Sequence, residues 1–324
     1  LTYSLLNTVA GLSIGAGGAY TFNPTVAAYD SLAQGATTVV TGTYAVSDGL
    51  GGTGTSTLTI TVTGTNDAPV ASPATTSATE AGANVTGTLT ATDVDAGATL
   101  TYSLLNSVAG LSLSGNTYTF NPSNAAYDSL AVGATTVVTG TYAVVDGLGG
   151  TGTSTVTITV TGTNDAPVAV ADVASVTEGA ATFTGSVRTN DSDVDTPIGN
   201  LTYSLNNAVA GLVLGTNGTY TFDPTNGAYN SLAQNATTAV TGTYTVVDGQ
   251  GGTATSTLVI TVTGTNDAPV ANAATASATE AGANVTGALT ATDPDTGASL
   301  TYSLLNTVAG LSIGAGGAYT FNPT

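Results

Sequence analysis

The sequence predicts an all-β chain, a tandem array of β-sandwich modules of about 100 residues each. Three observations carry this. The string LTYSL begins at Leu1, Leu100, Leu201 and Leu300, a fixed period that marks an array. Runs of alternating Thr and aliphatic residues recur once per period, the pattern of a strand with one buried face. Short Gly, Asn and Pro signals separate those runs, as in a sandwich with several short strands.

Along one period, Leu100, Tyr102 and Leu104 alternate with polar residues, as do Tyr118 and Phe120, and Tyr142 and Val144. Each of these segments reads as a strand. Leu58, Ile60 and Val62 alternate with Thr57, Thr59, Thr61 and Thr63, and the equivalent run precedes the other two joints. The DGLGG, GNT and NP stretches between them supply positive-φ glycines and turn-forming Asn and Pro. Gly51 to Gly54 read as a hairpin turn. Helical apolar spacing shows only weakly, around Ala125 to Leu130.

The string GTNDAPV closes each period at Gly64 to Val70, Gly162 to Val168 and Gly264 to Val270, and reads as a joint between modules. The expected domains are therefore 1–65, the C-terminal part of a module; 66–163 and 164–265, two complete modules; and 266–324, the N-terminal part of another. Residues 1–25 are identical to residues 300–324. That redundancy favours an excerpt of a longer array over subunits that complete one another end to end.

Composition narrows the chemistry. Twenty acidic residues face one base, Arg188, giving a formal net charge of -19, and Lys, His, Cys, Met and Trp are absent. Internal ion pairs cannot neutralise these acids, so they are solvated or bound to cations from solution. The charge repels phosphate backbones and anionic membrane surfaces, which argues against nucleic acid as a partner. Without His, Cys or Lys, the usual general bases, nucleophiles and zinc ligands are missing. No disulfide can staple the modules, and metal is the candidate substitute. No apolar stretch is long enough to insert in a membrane as a helix.

Fifteen of the 20 acids fall at repeated positions. They are Asp67, Asp165 and Asp267 in the joints; Glu80, Glu178 and Glu280 after them; the pairs Asp93/Asp95, Asp193/Asp195 and Asp293/Asp295; and Asp48, Asp146 and Asp248 before glycine. A merely solvating surface has no reason to fix Asp here and Glu there. Asp-x-Asp in a glycine-flanked loop projects two hard oxygen donors to one side, and Ca²⁺ takes about six to eight such oxygens. The acids of NDSDVDTPIGN superficially suggest an EF-hand, but Thr196 and Thr202 occupy the positions that motif gives to Gly and Glu. The same acid set at every joint fits a metal far better than a carboxylate pair for glycoside hydrolysis. The chain is not expected to be an enzyme.

These residues carry a resemblance. TATDVDAGATLTYSLLN resembles the calcium-binding segment of cadherin repeats, YAVVDGLGGTGTSTVTITV their later Asp-x-Gly strand, and TNDAPV their inter-repeat joint. The closer likeness is to the bacterial VCBS repeat and related cadherin-like modules of giant secreted RTX-type adhesins, over essentially the whole chain. It implies cadherin-like or Ig-like sandwiches with calcium at each junction. By motif, the first joint would use Asn66, Asp67, Asp93, Asp95 and Asp146. The second would collect Glu80, Asn164, Asp165, Asp193, Asp195 and Asp248, and the third Glu178, Asn266, Asp267, Asp293 and Asp295.

Two departures lower the expected number of ions to one or two per joint. Cadherin joints begin with an acid where this chain has Gly64, Gly162 and Gly264, and the Asp-Arg-Glu motif is absent. The function implied is a calcium-rigidified stalk or fibre of a bacterial surface adhesin or matrix filament, extracellular and exported by a type I-like route. Its partners would be the neighbouring modules of the array. The alternatives are a module that binds glycans or other copies of the fibre, and a filament subunit completed head to tail.

Overall fold

A computed structural model describes residues 1–324, and its regular structure is strand apart from one short 3-10 turn at Ile198–Asn200. The chain folds as two compact units, Leu1–Thr163 and Asn164–Thr324.

In the first unit, residues after the first joint form two facing sheets. The larger has the strand order Thr101–Leu104, Thr135–Val145, Thr151–Thr161, Ala74–Thr79. Its centre is a long hairpin paired from Thr135↔Thr161 to Val145↔Thr151 across the DGLGG loop. Gly147 and Gly149 take φ of 81° and 110° there, which side chains oppose and glycine does not. Ala74–Thr79 lies parallel to Val156–Thr161, a pairing between segments about 80 residues apart. The smaller sheet has the antiparallel order Leu111–Ser114, Thr117–Phe120, Val85–Thr88.

Alternation decides what each face buries. Tyr142, Val144, Val156, Ile158 and Val160 point inward and are fully buried, and Phe120 and Leu89 meet them from the other side. Each such side chain contributes about 1.5–3 kcal/mol by leaving water. The threonines of the same strands form the outer face. The weakly helical stretch around Ala125–Leu130 is instead two successive turns, with the Tyr127 N–H donating to Asn124 O (2.9 Å) and the Leu130 N–H to Tyr127 O (2.9 Å). Tyr127 is pinned inward, its hydroxyl donating to Ala109 O at 2.7 Å and its ring 5.4 Å from Phe120.

The second unit repeats the design. Its larger sheet has the order Asp172–Thr177, Thr253–Thr263, Thr237–Val247, Thr202–Leu205, and its smaller one Phe183–Ser186, Thr219–Phe222, Leu212–Leu214. Tyr244, Val246, Ile260, Val262 and Phe222 are its fully buried centre.

The outlying stretches hold matching parts of the same plan. Residues before the first joint carry the long hairpin Thr37–Ser47 and Thr53–Thr63 with Thr2–Leu5 beside it. Residues after the third joint carry the small sheet Val285–Ala288, Ala318–Phe321, Leu311–Ile313.

Candidate metal centre

Each candidate site begins at the Asp-x-Asp loop. Asp93 Oδ1 accepts the N–H of Asp95 at 2.9 Å, closing a tight turn, and Asp95 Oδ2 accepts the N–H of Asp67 at 2.9 Å, tying the turn to the joint. The arrangement recurs after the third joint, with Asp293 Oδ1 to Asp295 N–H at 2.9 Å and Asp295 Oδ2 to Asp267 N–H at 3.0 Å. In the middle copy Asp193 Oδ1 takes the N–H groups of Asp195 and Thr196 at 3.1 and 3.0 Å, and Asp195 Oδ2 that of Asp165 at 3.4 Å. One oxygen of each tied carboxylate is thereby fixed by backbone, which aims the other.

The Asp-Gly loop supplies the second part. Asp146 Oδ1 accepts N–H groups of Leu148 and Gly150 at 2.7 and 3.1 Å, and its Oδ2 accepts Asn66 Nδ2–H at 2.8 Å. The hydrogen bond from Asn66, then those from the loop backbone, hold the Asp146 carboxyl below the usual aspartate range. For Asp248 burial pushes upward, but the hydrogen bonds from Asn164 and from Gln250, Gly251 and Gly252 outweigh it, and the carboxyl again lies low. Asp195 moves the other way, raised by burial and then by neighbouring Asp193.

The glutamates mark the opposite end of each module. Glu178 is 5 % exposed; its N–H donates to Thr263 O at 2.8 Å, and its Oε2 accepts the Thr265 N–H at 3.1 Å, two residues before Asp267. Within the second unit this places Glu178 beside Thr265, at the start of the third joint. Glu80 stands equivalently within the first unit, 3 % exposed, with Oε2 accepting the Thr163 N–H at 2.8 Å. Glu280 is exposed. The joints are also braced by backbone: Ala96 N–H donates to Ser31 O and Thr296 N–H to Ser231 O, both at 3.1 Å.

Buried polar atoms without partners show what these sites need. At the first joint they are Asn66 Oδ1, Asp93 Oδ2 and Asp95 Oδ1, and in the following copy Asn164 Oδ1 and Asp193 Oδ2. At the third joint they are Glu178 Oε1, Asp267 Oδ2 and Asp295 Oδ1. Leaving such an atom unpaired costs about 1–3 kcal/mol, more when charged. All are hard oxygen acceptors, so the group that fits them is a hard cation. No three acidic side chains are gathered into a ready-made cage. The unpartnered donors are carboxylate oxygens, joined by an asparagine carbonyl at the first joint and in the following copy.

One polar cluster escaped the sequence reading. Asp172 and Asp191 lie outside the repeated acid positions, and both stand beside Tyr244. The Tyr244 hydroxyl is 2.9 Å from Val170 O and 3.0 Å from Asp172 Oδ2, while Asp191 Oδ1 accepts the Val170 N–H at 2.7 Å. Burial raises both carboxyls. Burial and then Asp191 push the Tyr203 hydroxyl up to about 12. The equivalent Tyr142 donates to backbone alone, at Ser72 O and Thr90 O. The one available signal was that these two acids break the repeat.

Asp172→Asn keeps an acceptor for Tyr244 and removes a charge that burial disfavours. The folded state holds this proton more tightly than the unfolded chain, so ionisation costs stability as pH rises above the ordinary aspartate range. The variant should melt a few degrees above wild type at neutral pH, with the gap closing near about pH 4. An equal or lower melting temperature at neutral pH would mean that the charged Tyr244 hydrogen bond dominates.

Residues 164–264 match the model of the bacterial cadherin-like domain, and residues 66–159 that of the bacterial Ig domain. Among solved structures the chain is similar to mouse cadherin-23 EC22-24, at 17% identity over 82% of this chain and 86% of that one, with a TM-score of 0.51. It is similar to protocadherin gammaB7 EC3-6, described as a cis-dimer, at 17% identity over 98% and 84% of the two chains, TM-score 0.53. Protocadherin gamma B7 extracellular cadherin domains 1-4 give 15% identity over 100% and 83%, TM-score 0.56. At these identities the likeness concerns the fold. No curated protein matches the sequence, and no helix is long and apolar enough to cross a membrane.

Proposed function

The chain is built of cadherin-like β-sandwich modules in tandem, and from that premise we propose that it is an extracellular structural spacer whose joints are stiffened by calcium. It would serve as the stalk or fibre of a bacterial surface adhesin or matrix filament, in adhesion or biofilm. The observation that carries the reading is the set of buried, partnerless oxygens at each joint in a chain with one base. Nothing inside the molecule can neutralise them, and a divalent cation from outside the cell can.

At the first joint the ion would be held by Asn66, Asp67, Asp93 and Asp95, and at the third by Glu178, Asp267, Asp293 and Asp295, with Asn266 beside them. Calcium supplies charge neutralisation and a bridge; the protein's part is to aim oxygens. Oxygen-only donors of mixed type suit Ca²⁺ better than Mg²⁺, which demands a near-ideal octahedron. Near-identical repetition of one module also fits a spacer, since spacers have no reason to diverge.

Calorimetric titration with calcium should show saturable binding of at least one ion per joint. Glu178→Gln with Asp295→Asn should remove the ions of the third joint and leave the rest. A titration flat to millimolar calcium would refute the reading.

A further inference from the structure

We infer that the aspartate of the Asp-Gly loop, Asp146 in one module and Asp248 in the next, is a positioning residue that aims the joint asparagine at the cation and does not bind the cation itself. The inference rests on the calcium reading of the joints and assigns a different task to one of its acids.

Oxygen accounting leads to it. A carboxylate offers about four lone-pair sites. Asp248 Oδ1 takes three backbone N–H groups, from Gln250, Gly251 and Gly252 at 2.6, 3.0 and 3.1 Å, and Oδ2 takes Asn164 Nδ2–H at 2.7 Å. Asp146 accepts three, from Leu148 and Gly150 at Oδ1 and from Asn66 at Oδ2. Both aspartates are buried, at 5 and 6 % exposure, yet neither has an orphaned oxygen, whereas Asp93, Asp95 and Asp193 each do.

The asparagine is the complement. Asn164 Nδ2 also reaches Asp165 O at 2.9 Å, so both amide hydrogens are committed and the side chain cannot flip. Its Oδ1 must point the other way, where it is buried without a partner, as is Asn66 Oδ1.

The loop glycines follow from this bridge. A Cβ on Gly252 would sit 2.1 Å from Asp248 Oδ2 and 2.9 Å from Asn164 Nδ2, and one on Gly150 would sit 2.2 Å from Asp146 Oδ2 and 2.9 Å from Asn66 Nδ2. The Asp–Asn bridge passes directly over both glycines.

The test uses the full chain with three variants, Asp248→Asn, Asn164→Ala and the swap N164D/D248N, each titrated with calcium and followed by hydrogen exchange in chelator. In Asp248→Asn the three loop N–H groups hold the amide oxygen and its NH2 faces the Asn164 NH2, donor against donor, so the calcium sites of that module should weaken about 10-fold or more, and exchange around 164–166 should quicken without any metal present. Asn164→Ala should cost as much calcium affinity. The swap reverses the hydrogen bond, with an amide at position 248 donating to a carboxylate at position 164, and should restore both affinity and slow exchange. If the swap binds calcium as poorly as Asp248→Asn while its exchange is restored, Asp248 is a ligand and the inference fails. It fails too if Asp248→Asn changes neither readout. A wild-type chain that binds no calcium would overturn the calcium reading and the aiming role with it; the exchange comparison in chelator would still say whether Asp248 holds Asn164.

Discussion

Adding millimolar calcium to the chelated chain should raise its melting temperature by about 10–20 °C. An ion at about 100 times its dissociation constant adds about 2.7 kcal/mol to the module that holds it, and 1 kcal/mol moves a domain of this size by about 4–8 °C. The gain has a local cause. Without the ion, the third joint buries Glu178 Oε1, Asp267 Oδ2 and Asp295 Oδ1 with no donor, and carboxylates that repel one another have no base to turn to. Raising ionic strength with sodium chloride should recover little of the effect, because buried charges are screened far less than exposed ones. Magnesium at equal concentration should also do less. Asp295→Asn separates the contributions: it should raise the melting temperature in chelator, by removing a buried charge, and blunt the response to calcium. Differential scanning calorimetry in calcium, magnesium and chelator decides the matter, and identical traces in all three would sink the idea of calcium-set joints.

The second large effect concerns the glycine that opens each joint. The cadherin resemblance places an acid there, and the obvious experiment is to restore it with Gly264→Asp. That variant should lose about 3 kcal/mol or more and gain no ion. A Cβ on Gly264 would lie 2.4 Å from Leu232 O and 2.5 Å from Ala233 O, both rigid backbone atoms. Gly264 is itself bound into that corner, its N–H donating to Ala236 O at 2.8 Å and its carbonyl accepting the Asn235 N–H at 3.0 Å. Gly64 and Gly162 are equally crowded, at 2.1 and 2.3 Å from Leu32 O and Leu130 O. The loop after the GAYNSL or AAYDSL turn fills the place where a side chain would stand. Thermal denaturation and a calcium titration of Gly264→Asp check this; an unaltered melting temperature with an added ion would show that the corner can open.

Much of this was legible in the chain. Period-2 alternation of Thr with Leu, Ile and Val gave the long hairpins, because a strand whose two faces meet different solvents must alternate. The recurrence of Asp-x-Asp singled out carboxylates whose second oxygen is left free once the first has closed its turn. The Asp before glycine reads in the sequence as a ligand; composition cannot count the hydrogen bonds that Asp146 and Asp248 accept from their loops and from Asn66 and Asn164. The cluster of Asp172, Asp191 and Tyr244 was hidden for a similar reason: a strand, a loop and a hairpin far apart in sequence supply its members.

The sharpest division lies in the 25 residues that occur twice. Their local preferences are the same by construction, and Leu12–Ile14 and Leu311–Ile313 are strands in both copies, each closed by a neighbour a few residues on. Thr2–Leu5 is also a strand, but its partner is Tyr44–Ser47, a distant segment and not a local neighbour. Sequence alone determined the alternation, the turns and the acids. Whether TYSL becomes a strand was decided by tertiary structure, because a backbone with ladder donors and acceptors stays extended only where another strand lies alongside to pair with them.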